Sequence, residues 1–330
     1  MIDEAGAVVR LRGTALPNLI WDPAGGPTAR GDLELMKAWG ANVVRIGLNQ
    51  GLWLDGKANC DAACYRGRVG EIVGWARSAG LDVILDLHFS TGNGAVEPQF
   101  MEMPDADSAE FWRQVAALYK NDGRVLFELY NEPHNVDWRT WRDGGSVNGV
   151  YDPDTSDTDY STPGTLTYQA TGMQALYDAV RATGAHNLVI AGGLDWTFTF
   201  SGAPEPALDG YNLAYAVHLY PYPSKLPDAW EAAFGFLKDR VPLIVSEFGP
   251  VATDGSCPSD YLDQVLGYAD ANALSWTAWS WFAGGTPSDG RGACTTEMFY
   301  AEADPANPAF SPTPYGARIR SELSSIESAR

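Results

Sequence analysis

Two glutamates stand where reactive carboxyl groups are useful. Glu132 follows Asn131 at the end of the apolar run LFELYN and precedes Pro133, and Glu247 lies near the end of a second apolar run, PLIVSEF. Carboxyl groups on two separate strand ends can face each other across a gap. One can then attack a carbon centre while the other passes a proton to the leaving oxygen, which is the chemistry of retaining glycosidic cleavage. A lone strand-end glutamate is as easily a structural ion-pair partner, so the pair needs elements that position it and groups that support it.

The chain supplies regular elements. Eight short apolar runs read as strands: 8–13, 42–48, 82–88, 124–131, 187–193, 214–220, 242–248 and 275–282. Most are rich in Val, Ile and Leu, as strands buried on both faces are. Helical patterns lie between them at 33–39, 67–78, 108–119, 165–183, 227–238 and 259–271, and 315–326 would close the chain. Several end at glycine, among them Gly40, Gly80 and Gly184, a common residue just past a helix. Eight strand–helix repeats in 330 residues predict an α/β fold, a (β/α)8 TIM barrel forming one catalytic domain over 1–330 with long βα loops. An open doubly wound sheet is the alternative, but no Gly-rich phosphate loop follows the first run.

In such a barrel the reactive groups sit at the C-terminal ends of the strands. Those ends carry Arg45, His88, Asn131 with Glu132, His218 with Tyr220, Glu247 and Trp281; two of the four histidines are among them. Each would be a polar or amphipathic group near the core that needs a partner, so packing alone explains the set poorly.

In order and strand position these residues resemble glycoside hydrolase family 5, in the clan of (β/α)8 retaining glycosidases, across nearly the whole chain. The resemblance implies Glu132 as acid/base and Glu247 as nucleophile of a double displacement. The acid must stay protonated near neutral pH through burial and the nearby Glu247 charge. Arg45 and Tyr220 would keep the nucleophile ionised. Asn131 would meet the sugar 2-hydroxyl, His88 and His218 would contact hydroxyls or position the carboxylates, and Trp281 would be the stacking floor. No metal or organic cofactor is expected.

Composition narrows the partners. The formal net charge of −20 opposes binding to nucleic-acid phosphates and to anionic membranes, and suits a monomer acting on a neutral carbohydrate. No apolar run reaches 18 residues, so no membrane span is expected. Twelve Trp and fifteen Tyr offer sugar-stacking surfaces or core filling. Trp21, Trp53, Trp138, Trp141, Trp196 and Tyr222 are candidates for flanking subsites. A polar insertion at about 134–164 carries the acidic run Asp152–Asp159; it reads as a solvated loop rather than a calcium site, because the Gly and closing Glu of an EF-hand are missing.

Cys60, Cys64, Cys257 and Cys294 fall in loops. An even number so placed predicts two disulfides and a secreted protein, and 60–64 with 257–294 is the pairing preferred among three. The N-terminal stretch lacks the basic and apolar regions of a signal peptide, so the signal has been removed or the protein is cytoplasmic. Among substrates the resemblance favours endo-β-1,4-glucan cleavage. An exo-acting β-glycosidase, a mannanase or a xylanase is the alternative within the family, and a non-catalytic carbohydrate-binding barrel is the rival outside it.

Overall fold

The computed structural model describes residues 9–90, 101–149, 166–285, 294–300 and 312–327. Eight strands form a closed barrel: β1 (Arg12–Leu16), β2 (Val43–Asn49), β3 (Asp82–Phe89), β4 (Val125–Glu128), β5 (Val189–Gly192), β6 (Leu213–Leu219), β7 (Leu243–Phe248) and β8 (Ser275–Ala278). Each pairs in parallel with its neighbours in chain order, and β1 closes on β8 with Arg12 opposite Trp276. Helices fill the connections, so the fold is a (β/α)8 barrel.

Strand alternation sorts the side chains into two cores. Outward residues such as Val44, Ile46, Leu85, Phe127 and Val217 pack against the helices. Inward residues Leu11, Val43, Ile84, Leu126, Ile190, Ala214, Ala216 and Ile244 form an apolar floor. Two residues further along each strand, on the same face, come Arg45, Asp86, Glu128 and Ser246, all fully buried. Arg45 ties this polar layer together, with its guanidinium 2.6 Å from Glu128 and 3.0 Å from Asp86. The charges of Asp86, Glu128 and Glu247 outweigh the burial that pushes the Arg45 pKa down, and it ends above its usual value.

Four segments depart from the sequence expectation. The first strand is Arg12–Leu16 rather than 8–13, because Leu11 enters the floor and Arg10 turns back to the carbonyls of Ala269 and Leu274. Gly13 allows this strand its close approach, since a Cβ there would lie 1.8 Å from the Val43 carbonyl oxygen. Strand pairing in the fourth and eighth runs stops at Glu128 and Ala278, and the residues beyond turn into the barrel mouth. The expected helix 165–183 begins instead as a strand, Leu166–Ala170, paired antiparallel to Gly145–Gly149, and only Met173–Ala182 is helical. Thr167 and Tyr168 favour extended backbone, and the Tyr168 hydroxyl docks between the N–H and carbonyl of Met103.

The insertion therefore carries elements of its own. Asp137 caps a helix, Trp138–Asp143, which the hairpin then follows; the acidic run Asp152–Asp159 lies outside the described residues. No helix among the described residues is long and apolar enough to cross a membrane.

Cys60 pairs with Cys64 and Cys257 with Cys294, closing separations of 4 and 37 residues. Loop-closure entropy scales with the logarithm of loop length, so Cys257→Ala/Cys294→Ala should cost about 4 kcal/mol and Cys60→Ala/Cys64→Ala about 2 kcal/mol in denaturant unfolding. Arg45→Met should cost about 3–5 kcal/mol, because it strands buried carboxylates without a cation. The stranded carboxyls would have folded pKa values above their unfolded ones. The deficit should thus be smaller at pH about 5 than at about 8, and an equal deficit at both would refute this account.

Candidate active site

The strand ends bring His88, Asn131, Glu132, His218, Tyr220 and Glu247 into one cluster above the polar layer, and Arg45 links the two. Glu247 accepts Arg45 Nη1–H on Oε2 at 2.8 Å and the Tyr220 hydroxyl on Oε1 at 2.7 Å. Two donors, one of them a cation, thus hold its two oxygens. Burial, then the Glu247 charge, pushes the Tyr220 phenol well above its ordinary value, so it stays a donor.

Glu132 has the opposite surroundings. Its Oε1 lies 2.9 Å from His218 Nδ1, and no Lys or Arg among the described residues forms an ion pair with it. Burial pushes its carboxyl up to about 7, against the pull of His88, Arg45 and Lys225. One atom from each of Glu132, His218 and Glu247 lies within 4.8 Å of the other two. The two carboxyl groups are thus near the spacing of about 5–5.5 Å that direct attack requires, and too close for the intervening water of an inverting site.

Local backbone explains how these groups arrive. After β4 ends, Leu129 and Asn131 still donate to the carbonyls of Ile190 and Leu87, which carries the chain to Glu132 in register. The β6–β7 ladder shifts between Val217 and His218, so that His218 stands opposite Glu247 rather than Ser246. Such a bulge re-aims side chains beside a site. His88 is set from both sides: Nδ1 is 2.7 Å from Asp86 Oδ2, Nε2 faces the Asn131 amide at 3.4 Å, and Asn131 Oδ1 accepts from Arg45 at 2.7 Å. Burial pushes His88 down to about 4, so the ring is neutral.

The aromatic candidates divide differently. Trp281 is not the floor of the cleft: it is buried against Trp39 and Phe299, with Nε1–H on Asp32. The ring beside this cluster is Trp279, half-buried and stacked on His88 at 5.2 Å. Trp53 and Trp141 are also corrected to core positions. Trp53 is enclosed by Phe111 and Tyr65, and Trp141 donates to the Gly192 carbonyl. Trp138 is half-buried, packed on Trp141 and Phe200, and bonded to the Ser201 carbonyl.

Trp196 does lie beside the site. Its ring stacks on His134 at 3.6 Å, its backbone N–H donates to the Pro133 carbonyl, and it sits in a left-handed stretch, Asp195–Thr197. Trp21 is largely exposed beside Phe89, and Tyr222 shares a hydrogen bond with Thr253.

The sequence reading passed over Asp86, Glu128, Ser246, Trp279 and Lys225. The first two carried a signal, since each is a charged residue inside an apolar run with strand alternation.

Comparisons with known proteins place this geometry in a lineage. Residues 2–285 match the family model for cellulase, glycosyl hydrolase family 5. Endoglucanase N of Pectobacterium atrosepticum is 25% identical over 293 residues, 85% of this chain and 55% of that protein. Endoglucanase 5 of Pectobacterium carotovorum subsp. carotovorum is 25% identical over 85% of this chain and 48% of its own length. The chain thus spans about half the length of these curated relatives. Among solved structures, a β-glucanase from Saccharophagus degradans superposes with a TM-score of 0.72 at 19% identity, covering 100% of this chain and 91% of that one. The catalytic domain of an endoglucanase from Thermobifida fusca gives 0.69 at 19% identity, over 97% and 93%. At that identity the structures speak to the fold, and the family match covers most of the chain: the protein belongs to glycosyl hydrolase family 5.

Proposed function

We propose that the protein is a retaining endo-β-1,4-glucanase, with Glu247 as nucleophile and Glu132 as acid/base. The observation that carries this reading is the contrast between two carboxyl groups within 4.8 Å of each other. One holds two donors, one of them a cation; the other is half-buried, and no Lys or Arg among the described residues hydrogen-bonds to it. Glu247 attacks the anomeric carbon and forms a glycosyl–enzyme ester as Glu132 protonates the leaving oxygen. Glu132, now a carboxylate, then takes a proton from the water that hydrolyses the ester. The Asn131 amide, whose oxygen is occupied by Arg45 and whose nitrogen faces His88 Nε2, has one N–H left for the sugar 2-hydroxyl. Trp279 takes the platform role beneath the sugar.

The glucan assignment draws on the names of the relatives, most of which are endoglucanases. A Caldicellulosiruptor saccharolyticus relative, 25% identical over 259 residues, is named β-mannanase/endoglucanase A, which makes mannan the second substrate to try. The net charge of −20 fits an uncharged polymer.

Product lengths from cellulose, mannan, xylan and aryl glycosides test the substrate, and mixed internal fragments from soluble β-1,4-glucan are expected. Anomeric NMR of the first product should show the β-anomer; early α-anomer would sink the retaining assignment. Glu247→Gln should lose turnover but keep oligosaccharide binding. Glu132→Gln should lower kcat/KM about 10²–10⁴-fold on unactivated substrates. Because the acid must be protonated, kcat/KM should fall as pH rises through about 7.

A further inference from the structure

Two buried groups below the site touch no substrate, yet they account for the protons above them. Glu128 Oε2 takes the Arg45 Nε–H at 2.6 Å, and Glu128 Oε1 lies 2.7 Å from Ser246 Oγ. Arginine offers no acceptor, so Glu128 accepts on both oxygens and the hydroxyl proton of Ser246 points at it. Ser246 Oγ then has only lone pairs left for His218 Nε2, which lies 3.1 Å away. That nitrogen must carry the ring proton. Burial pushes His218 down to about 4, so the ring is neutral and Nδ1 is bare. Nδ1 sits 2.9 Å from Glu132 Oε1, and two acceptors at that distance need a proton between them. Only Glu132 can bring it.

We propose that Ser246, oriented by Glu128, is a positioning residue for the acid/base: it locks His218 as the Nε2–H tautomer, whose bare Nδ1 keeps Glu132 in its protonated form between turnovers. The bulge in the β6–β7 ladder supports this placement, because Ser246 is the residue it leaves unmatched. Once Glu132 has given up its proton, its carboxylate faces a lone pair. That unfavourable contact makes it a stronger base toward the incoming water. The inference rests on Glu132 being the acid/base.

Among the described residues, the other charged and titratable groups around Glu132 and His218 are Arg45 on β2, Asp86 and His88 on β3, Glu128 on β4, His134 after it, Glu247 on β7, and Tyr220 and Lys225 after β6. Ser246→Ala leaves all of them in place. It frees His218 to adopt the Nδ1–H tautomer, which donates to the Glu132 carboxylate and favours the charged form.

The alkaline limb of kcat/KM in Ser246→Ala should therefore move down by about one pH unit, while Ser246→Thr, which keeps the hydroxyl, should leave it in place. The chain has four histidines, so ¹⁵N spectra can assign the His218 tautomer directly, with Nε2–H expected in the wild type. An unshifted limb in folded Ser246→Ala, with activity lowered equally at every pH, overturns the proposal. So does an Nδ1–H tautomer in the wild type, a result that needs no variant to fold. The parent reading fails separately, if Glu132→Gln keeps wild-type kcat/KM on unactivated substrate.

Discussion

One buried guanidinium governs this site. Arg45 has no exposure to solvent and contacts Asp86, Glu128 and Glu247 on three other strands. Carboxylates taken out of water are costly unless paired, and one cation cannot neutralise every acid in the layer. Protons must make up the difference. Burial, only partly offset by Arg45, pushes Asp86 up to about 7, and Glu132, out of hydrogen-bond reach of the guanidinium, rises to a similar value. Arg45 therefore does more than stabilise Glu247. Its donors go to Glu128, Glu247 and Asn131, and Glu132 receives none of them. Two like residues thus meet opposite surroundings through one asymmetric set of contacts, which is how a fold can give two carboxyl groups different chemistry.

The barrel makes that asymmetry rigid. An apolar floor of Val43, Ile84, Leu126 and Ile244 carries the polar layer one alternation step above it. Each polar side chain is thus fixed by its own strand, and its partner by a neighbouring or opposite strand. Donors held in this way need not reorganise as charge moves during reaction, which is what electrostatic preorganisation requires. The mouth is built differently. Trp196, His134 and Lys225 are held there by turns, a left-handed stretch and side chain–backbone bonds. Loops on a stable scaffold can vary without disturbing the chemistry beneath them.

The eight strand runs and the order of their terminal residues were legible because strand alternation and helix punctuation are local properties. Glu132 and Glu247 could be picked out because each breaks an apolar run at a strand end. Trp281 was misplaced for the converse reason. Trp279 and Trp281 are two residues apart and so share parity, and strand pairing stops before both, at Ala278, so alternation could not tell them apart. Trp53 and Trp141 failed as subsite residues because an indole that completes a core and one that lines a cleft have the same sequence signature. The hairpin within the insertion was missed because its pairing joins segments on either side of a long excursion.

By itself, then, the sequence determined the barrel, the two carboxyl groups and the set of polar side chains at the strand ends, since period-two patterning commits each residue to a face before any tertiary contact forms. Tertiary structure decided which partners those side chains share. Closure of the barrel brought Arg45 against acids on three other strands, and the β6–β7 bulge set His218 opposite Glu247 with Ser246 beneath. Register and bulge position are properties of paired strands rather than of one strand. Those pairings give Glu132 and Glu247 different hydrogen-bond partners, and that difference exists only in the folded molecule.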